Sequence, residues 1–163
     1  MTLNKLNTCP KNRDTYLRLV NLGKSCLEIC EELSIHPIIH GSVAYLFYTR
    51  DSEIEVNDLD LLIPESAMNM LAAEFEKRKI NYELTDHPTI KVMEEDAKVS
   101  FHSKEYFLNG LPQSSTPVNI EGGKFQILNL EALTRGYETS LELAPERSNM
   151  YLKKLEKLRN VAT

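Results

Sequence analysis

Two short segments of the sequence carry residues whose types and spacing could do phosphate and metal chemistry. Ile38–Ser42 is an apolar run that ends in Gly-Ser, and fifteen residues separate it from the segment Asp58–Ile63. Side chains alternate along a strand, so Asp58 and Asp60 are expected on one face and the intervening leucines in the core. Two neighbouring carboxylates repel each other, and a divalent cation such as Mg²⁺ relieves that repulsion. A cation site beside a Gly-Ser loop indicates nucleoside triphosphate chemistry.

Each of these residues also has a purely structural interpretation. Asp58 and Asp60 could cap backbone N–H groups at a strand end, and Ser42 could cap the helix that follows it. For Ser42 the two roles are compatible, because a helix cap and a phosphate contact use the same geometry. Arg50 could reach a triphosphate or lie in solvent, and His40 could be packed or take part in chemistry. The combination of Gly-Ser with Asp-x-Asp favours the functional interpretation.

Length and composition place the chain among globular proteins. Its 163 residues are 42% hydrophobic and 26% charged, which suffices for one domain with its own core. No apolar run approaches the ~18–20 residues of a membrane span, and residues 1–5 lead into polar sequence. We therefore expect a cytoplasmic protein with no membrane partner. The net charge of −5 argues against broad nucleic-acid binding.

Three cysteines are present, at positions 9, 26 and 30. An odd number of cysteines fits a reducing compartment. Cys26 and Cys30 are four residues apart on a predicted helix and share a face, which would allow a metal or redox role. Burial as small apolar side chains is the interpretation that we favour.

Apolar periodicity predicts alternating helices and strands in the first hundred residues. The first helix is expected over 13–33, and Gly23 weakens it by roughly 1 kcal/mol relative to alanine. Pro37 then ends the helix and starts a strand. The following elements are a strand at 38–40, a helix at 42–49, a polar connection at 49–57, a strand at 58–63, a helix at about 65–79, and strands at 80–85, 89–93 and 98–102, the last two joined by a turn at 94–96.

The remaining residues predict a hairpin and two helices. Gly122 and Gly123 separate two strands, at 117–121 and 124–128, after a loop at 109–115. Helices follow at 130–143 and about 146–161, and the solvent face of the last one is expected to carry Lys153, Lys154, Lys157 and Arg159. Strands and helices are mixed, which favours an α/β (α+β) fold with a mixed β-sheet flanked by helices. We predict a single domain over 1–163, with a core at about 36–128 and a C-terminal helical pair.

The arrangement of strand, Gly41-Ser42, helix and Asp58-Leu59-Asp60 resembles the nucleotidyltransferase fold superfamily. Within that superfamily, the chain looks most like small bacterial members. These are the minimal nucleotidyltransferases, the lincosamide-type antibiotic nucleotidyltransferases and the transferase toxins of abortive-infection systems. The resemblance covers about residues 36–103, and residues 125–133 look like the strand-to-helix exit common in this group. It implies a nucleotidyltransferase-like mixed sheet.

The resemblance also implies roles for individual residues. Gly41 would let the backbone approach the phosphates, and Ser42 would donate to a β- or γ-phosphate. Arg50 is a further candidate to contact the triphosphate of the nucleotide. Asp58 and Asp60 would be the catalytic carboxylates and would hold the Mg²⁺ (or Mn²⁺) that bridges the phosphates of an NTP. An acceptor hydroxyl would attack the α-phosphate and release pyrophosphate, and the metal would offset charge on both oxygens.

The sequence departs from the family pattern at the third carboxylate. Such enzymes usually carry this carboxylate on a later strand, and Ser100 stands where we would expect it. The spacing from Ser42 to Asp58 is also somewhat long, which an enlarged connecting loop would explain. A serine cannot bind a second metal or activate a hydroxyl at neutral pH without its own activator. Glu94 or Glu95 from the turn, or His102 as a base two residues along the same face, could take its place.

Two functions therefore remain open. One is a metal-dependent nucleotidyltransferase that moves a nucleoside monophosphate from an NTP to a hydroxyl acceptor. The other is a catalytically impaired protein of the same fold, acting as a nucleotide-binding or protein-interaction module. The acceptor could be a small molecule such as an antibiotic, a tRNA end or a protein tyrosine. The group that faces Asp58 and Asp60 discriminates between the two: a carboxylate within about 5 Å favours catalysis, and a hydroxyl or apolar neighbour favours binding.

Overall fold

The computed structural model of the protein describes residues 4–85, 89–108 and 113–163. Strands and helices alternate in its first half, and a hairpin and a helical pair follow. The strands are β1 (Asn4–Lys5), β2 (Ile38–His40), β3 (Asp58–Ile63), β4 (Tyr82–Thr85), β5 (Thr89–Glu94), β6 (Ala97–Ser103), β7 (Ser115–Ile120) and β8 (Gly123–Leu128). The helices are α1 (Arg13–Glu32), α2 (Gly41–Thr49), α3 (Glu65–Lys77), α4 (Lys104–Leu108), α5 (Leu130–Leu143) and α6 (Ser148–Ala162), with a 3-10 turn at Pro145–Arg147.

All eight strands form one mixed sheet in the order β1-β7-β8-β2-β3-β6-β5-β4. The strand β3 lies near its centre, antiparallel to β2 and parallel to β6. Asp60 has His40 as its Cα partner on β2 and Ser100 as its partner on β6. These three residues therefore point to the same face of the sheet. The mixed strand directions confirm the predicted α/β fold with a mixed sheet.

The opposite face of the central strands is the core. Leu59 and Leu61 are 1% and 0% exposed, as their alternation with the aspartates predicts. The helix α1 packs directly on this face, and Gly23 allows it to do so. A Cβ at position 23 would lie 2.4 Å from Leu59 Cδ2, so a larger residue would require the buried Leu59 side chain or the helix to shift. The helix-weakening glycine is thus a packing requirement.

Most predicted elements occur within a few residues of their expected bounds, with some differences. The helix α2 starts at Gly41 rather than at Ser42, and β4 starts at Tyr82 rather than at position 80. The predicted loop over 109–115 lies partly outside the described residues, and β7 already begins at Ser115. The short elements β1 and α4 have no counterpart in the prediction. In the described ranges, no helix is long and apolar enough to span a membrane.

The predicted packing of Cys26 and Cys30 as buried thiols is confirmed. Both are free cysteines in α1, 2% and 0% exposed. Burial raises the pKa of each thiol to about 12, so both are protonated near neutral pH. They behave as small apolar side chains against the sheet.

Candidate active site

Asp60 is the centre of a polar cluster on the face of the sheet opposite α1. Its Oδ1 lies 3.1 Å from Nε2 of His102, which is two residues beyond Ser100 on the neighbouring strand. The carboxylate side chain is 24% exposed and that of His102 is 14% exposed, so solvent still reaches the pair. The group that contacts Asp60 across the strands is thus an imidazole, with the hydroxyl of Ser100 in register beside it.

A second imidazole completes the cluster. The rings of His40 and His102 meet edge to face, with centroids 5.1 Å apart. One ligand atom each from His40, Asp60 and His102 can be chosen so that all three lie within 4.8 Å of one another. The ring of Phe107, in α4, lies 4.5 Å from His102 and 5.5 Å from His40 between centroids, and covers both.

Electrostatics in the cluster favour an ionised aspartate beside a neutral His40. Burial lowers the pKa of His40 to about 4, against the opposing charge of Asp60. Burial also works against ionisation of Asp60, but the hydrogen bond with His102 and nearby positive charge outweigh it. The pKa of Asp60 therefore falls below its ordinary value. The Nε2 atom of His40 is buried and has no hydrogen-bond partner among the described residues.

Gly41 brings the start of α2 against this carboxylate. Its φ of +69° is in the left-handed region, and an added Cβ would lie 2.5 Å from Oδ2 of Asp60. The N-cap residue His40 makes no side-chain capping bond, so the first-turn N–H groups of α2 lack the cap that would compete with an anion. The expected capping of this helix by Ser42 does not occur, because the helix begins one residue earlier.

Lys154 is a site residue that the sequence analysis missed. Its Nζ lies 3.4 Å from Oγ of Ser42, although the two residues are 112 positions apart. The same ammonium lies 5.3 Å from the ring centroid of Tyr45 and 5.2 Å from that of Tyr137, within cation–π range. Burial lowers the pKa of Lys154, and the charge of Asp60 opposes that shift. The predicted solvent-facing position is wrong for this lysine.

A signal for Lys154 was present in the sequence. It lies three residues after Tyr151 and four before the buried Leu158, so helical spacing places it on the inward face of α6. By contrast, Lys157 is 53% exposed and forms an ion pair with Asp51 at 2.5 Å.

The other two predicted site residues, Asp58 and Arg50, lie at different distances from this cluster. Asp58 shares the face of Asp60, is 41% exposed, and pairs with Lys98 Nζ at 3.4 Å. Arg50 is the C-cap of α2, so about 12 Å of helix separates its backbone from Ser42. Ser100 is 3% exposed. The structure brings Gly41, Ser42 and Asp60 together, leaves Asp58 at the rim, and does not bring Arg50 beside them.

The donor atoms at the site indicate which cations it could hold. Asp58 and Asp60 offer carboxylate oxygens on one partly exposed face, which fits Mg²⁺ because that ion takes one or two carboxylates together with waters and phosphates. The other side of Asp60 offers imidazole nitrogens, which Mg²⁺ does not favour. The placement of Mg²⁺ or Mn²⁺ at the two aspartates stays a prediction.

The contact between Gly41 and Asp60 gives a first testable prediction. Gly41→Ala is expected to destabilise the fold by ~1–3 kcal/mol, because alanine would be strained at a positive φ and would displace the carboxylate. Urea denaturation measures the change. Gly136→Ala is the matched control: that glycine is inside α5 with nothing within 4 Å, so its replacement should stabilise by a few tenths to ~1 kcal/mol. Equal effects of the two substitutions would contradict the tight approach at Gly41.

No family model matches the chain, and no curated protein matches it. Solved structures do match. The antibiotic-resistance factor ANT(2'')-Ia superposes with a TM-score of 0.66 at 15% identity, over 91% of this chain and 86% of that one. A nucleotidyltransferase-like protein from Paracoccidioides brasiliensis gives 0.59 at 14% identity, over 86% and 74%. The lincosamide antibiotic adenylyltransferase LnuA gives 0.55 at 12% identity, over 95% and 99%. These similarities, at 12–15% identity, show that the chain shares the fold of these three structures.

Proposed function

We propose that the protein transfers a nucleoside monophosphate from an NTP to a hydroxyl acceptor. The observation that carries the proposal is the convergence of Ser42, Lys154 and Asp60 at the start of α2. A hydroxyl, a half-buried ammonium and free helix N–H groups suit the triphosphate, and the adjacent carboxylate suits its cation. The fold shared with nucleotidyltransferases supports the same conclusion.

The triphosphate end of the nucleotide is expected at the start of α2. The backbone N–H groups of the first turn and the Ser42 hydroxyl donate to phosphate oxygens, and the Lys154 ammonium lies 3.4 Å from that hydroxyl. Since Lys154 is partly desolvated, its attraction for phosphate is stronger than that of a surface lysine.

The transfer step forms one bond and breaks another at the α-phosphorus. The acceptor oxygen attacks, its proton passes to solvent or a nearby base, and pyrophosphate leaves with the electrons of the broken P–O bond. A divalent cation at Asp58 and Asp60 would offset negative charge on the attacking and leaving oxygens. The residues themselves orient the phosphates and stabilise charge, which is most of what phosphoryl transfer requires.

The acceptor is proposed to be a hydroxyl compound that carries amino groups. A cavity of about 790 Å³ lies next to the cluster, and Phe107 lines it as well as covering the two imidazoles. Its charged lining consists of four glutamates and one arginine: Glu65, Glu105, Glu138, Glu142 and Arg135. Such a lining attracts cationic groups and repels the phosphates of a tRNA end.

Nucleotide binding and pyrophosphate release test this proposal together. Each of the four NTPs is added with Mg²⁺ or Mn²⁺ while thermal unfolding is followed, and a bound nucleotide at 100 times its dissociation constant should stabilise by ~2.7 kcal/mol. Amino-bearing hydroxyl compounds are then screened for pyrophosphate release. The proposal fails if no NTP stabilises the protein in the presence of either cation.

A specific observation favours a second function, that of a nucleotide-binding module without catalysis. The partners of Asp60 on β6 are a buried hydroxyl and an imidazole, and β6 contains no Asp or Glu at all. A carboxylate facing the aspartates would favour catalysis, and β6 places a hydroxyl and an imidazole there instead. This arrangement argues against the second metal ion that the third carboxylate usually binds. Stabilisation by an NTP without pyrophosphate release from any acceptor would support the binding module.

A further inference from the structure

We propose that His40, Asp60 and His102 form a binding site for a borderline divalent cation such as Zn²⁺, distinct from the cation that accompanies a nucleotide. The inference goes beyond the proposed function and does not depend on it. It concerns the protein alone, without NTP or acceptor, and rests on the geometry, packing and donor types of the three side chains.

The three donors are close enough to meet at one ion. Atoms bound to Zn²⁺ at ~2.0–2.2 Å in a tetrahedral site lie roughly 3.4 Å apart. The described donors lie within 4.8 Å of one another, and Nε2 of His102 is already 3.1 Å from Oδ1 of Asp60. Small rotations of partly exposed side chains would complete the site, with water in the fourth position.

His40 supplies the observation that points most directly to a ligand. Its Nε2 is buried and unpartnered among the residues that the structure describes, whereas buried polar atoms in native proteins nearly always have a partner. The His40 ring lies edge to face with that of His102. His40 is also the Cα partner of Asp60 on β2, so all three side chains are adjacent. A cation between the two imidazoles would satisfy this nitrogen.

The surroundings hold His102 in the orientation that a ligand needs. Its second ring nitrogen, Nδ1, lies 3.2 Å from the hydroxyl of Thr89, a residue that is 6% exposed and the Cα partner of His102 on β5. Metal-binding histidines usually have such an outer contact, which fixes the tautomer and the ring plane. Phe107 packs against both rings, with centroids 5.5 Å from His40 and 4.5 Å from His102.

The donor types select the class of cation. Two imidazoles and one carboxylate suit Zn²⁺, Co²⁺ or Ni²⁺, while Mg²⁺ prefers oxygen ligands. The two oxygens of Asp60 also separate the two sites: Oδ1 faces His102, and Oδ2 faces Gly41 at the start of α2. One carboxylate can therefore serve the histidines on one side and a nucleotide-borne cation on the other.

Cobalt provides a spectroscopic test on the full chain without nucleotide. Titration with Co²⁺ is expected to give visible d–d absorption of a nitrogen- and oxygen-liganded ion, which Zn²⁺ abolishes by competition and Mg²⁺ does not. Zn²⁺ should raise the unfolding temperature more than equimolar Mg²⁺. His102→Gln and His40→Gln should each weaken Co²⁺ binding at least tenfold.

His36→Gln is the matched control, because His36 is exposed and lies before the strand. It should leave the Co²⁺ spectrum and affinity unchanged. Far-UV circular dichroism establishes that each variant folds, and His102→Gln decides alone if His40→Gln does not. The inference is overturned if the cobalt spectrum survives His102→Gln, or if Mg²⁺ displaces Co²⁺ as well as Zn²⁺ does. Because no nucleotide is present, either result leaves the proposed nucleotidyl transfer untouched.

Discussion

Asp60→Asn is expected to reduce nucleotidyl transfer at least ~100-fold, the usual loss when a preorganised electrostatic contact to the reacting phosphates is removed. Asparagine keeps the size of the side chain and the packing against Gly41. It removes the negative charge that contacts His102 and that lies close enough to Lys154 to affect its pKa. A neutral amide is a poor ligand for a divalent cation, so charge on the phosphates would no longer be offset.

Pyrophosphate release at saturating NTP measures the loss, and nucleotide-induced stabilisation reports binding separately. Asp96→Asn is the matched control. That carboxylate forms an exposed ion pair with Arg18 before the start of β6, about 20 Å along the strand from His102. It should leave transfer unchanged. Full activity in folded Asp60→Asn would remove this carboxylate from the catalytic machinery.

The fold was predictable because its central elements have strong local signals. Polar and apolar residues alternate over 58–61 and an apolar pair follows, Pro64 ends the strand, and the next helix has a regular apolar stripe. The elements β1 and α4 have two and five residues. Such short elements depend on the neighbours that they pack against, so the sequence carries almost no signal for them.

The cluster around Asp60 was predictable only in part, since it depends on how strands align. Sequence analysis placed Ser100 where the third carboxylate of the family would be expected, and the register pairs Ser100 with Asp60. However, a serine side chain is short and is buried between strands. His102, two residues further on the same face, has a ring long enough to reach back to the carboxylate. Side-chain reach, rather than register alone, determines which group contacts Asp60.

Lys154 shows a different limit. Helical spacing indicates that it faces inward, but only the packing of α6 on α2 brings it to Ser42. Lysines usually lie at the surface, so charge alone favours the solvent face. A lysine on the apolar side of a helix is the combination that should have suggested a binding role, because burial of an ammonium is costly without a compensating partner.

Lys154→Met is expected to weaken NTP binding at least ~10-fold, since a charge-assisted hydrogen bond to phosphate contributes ~1.5–3 kcal/mol. Methionine retains much of the aliphatic stem against Tyr45 and Tyr137 and removes a partly desolvated charge. Folding stability should therefore stay the same or rise, as it often does when a buried charge is replaced by an apolar side chain. Urea denaturation without nucleotide and NTP titration by thermal unfolding measure the two quantities.

Lys157→Met is the matched control on the same helix. Lys157 is exposed and paired with Asp51, so its replacement removes the same charge from the protein without touching Ser42. Long-range attraction of the nucleotide would fall equally in both variants, whereas a direct phosphate contact would be lost only in Lys154→Met. Equal NTP affinities of the two variants would mean that Lys154 acts through net charge alone. If Lys154→Met lowers the free energy of unfolding by as much as it lowers the free energy of NTP binding, the lysine is a packing residue. A lysine that binds phosphate should instead lose NTP affinity on replacement while the fold stays as stable or becomes more stable.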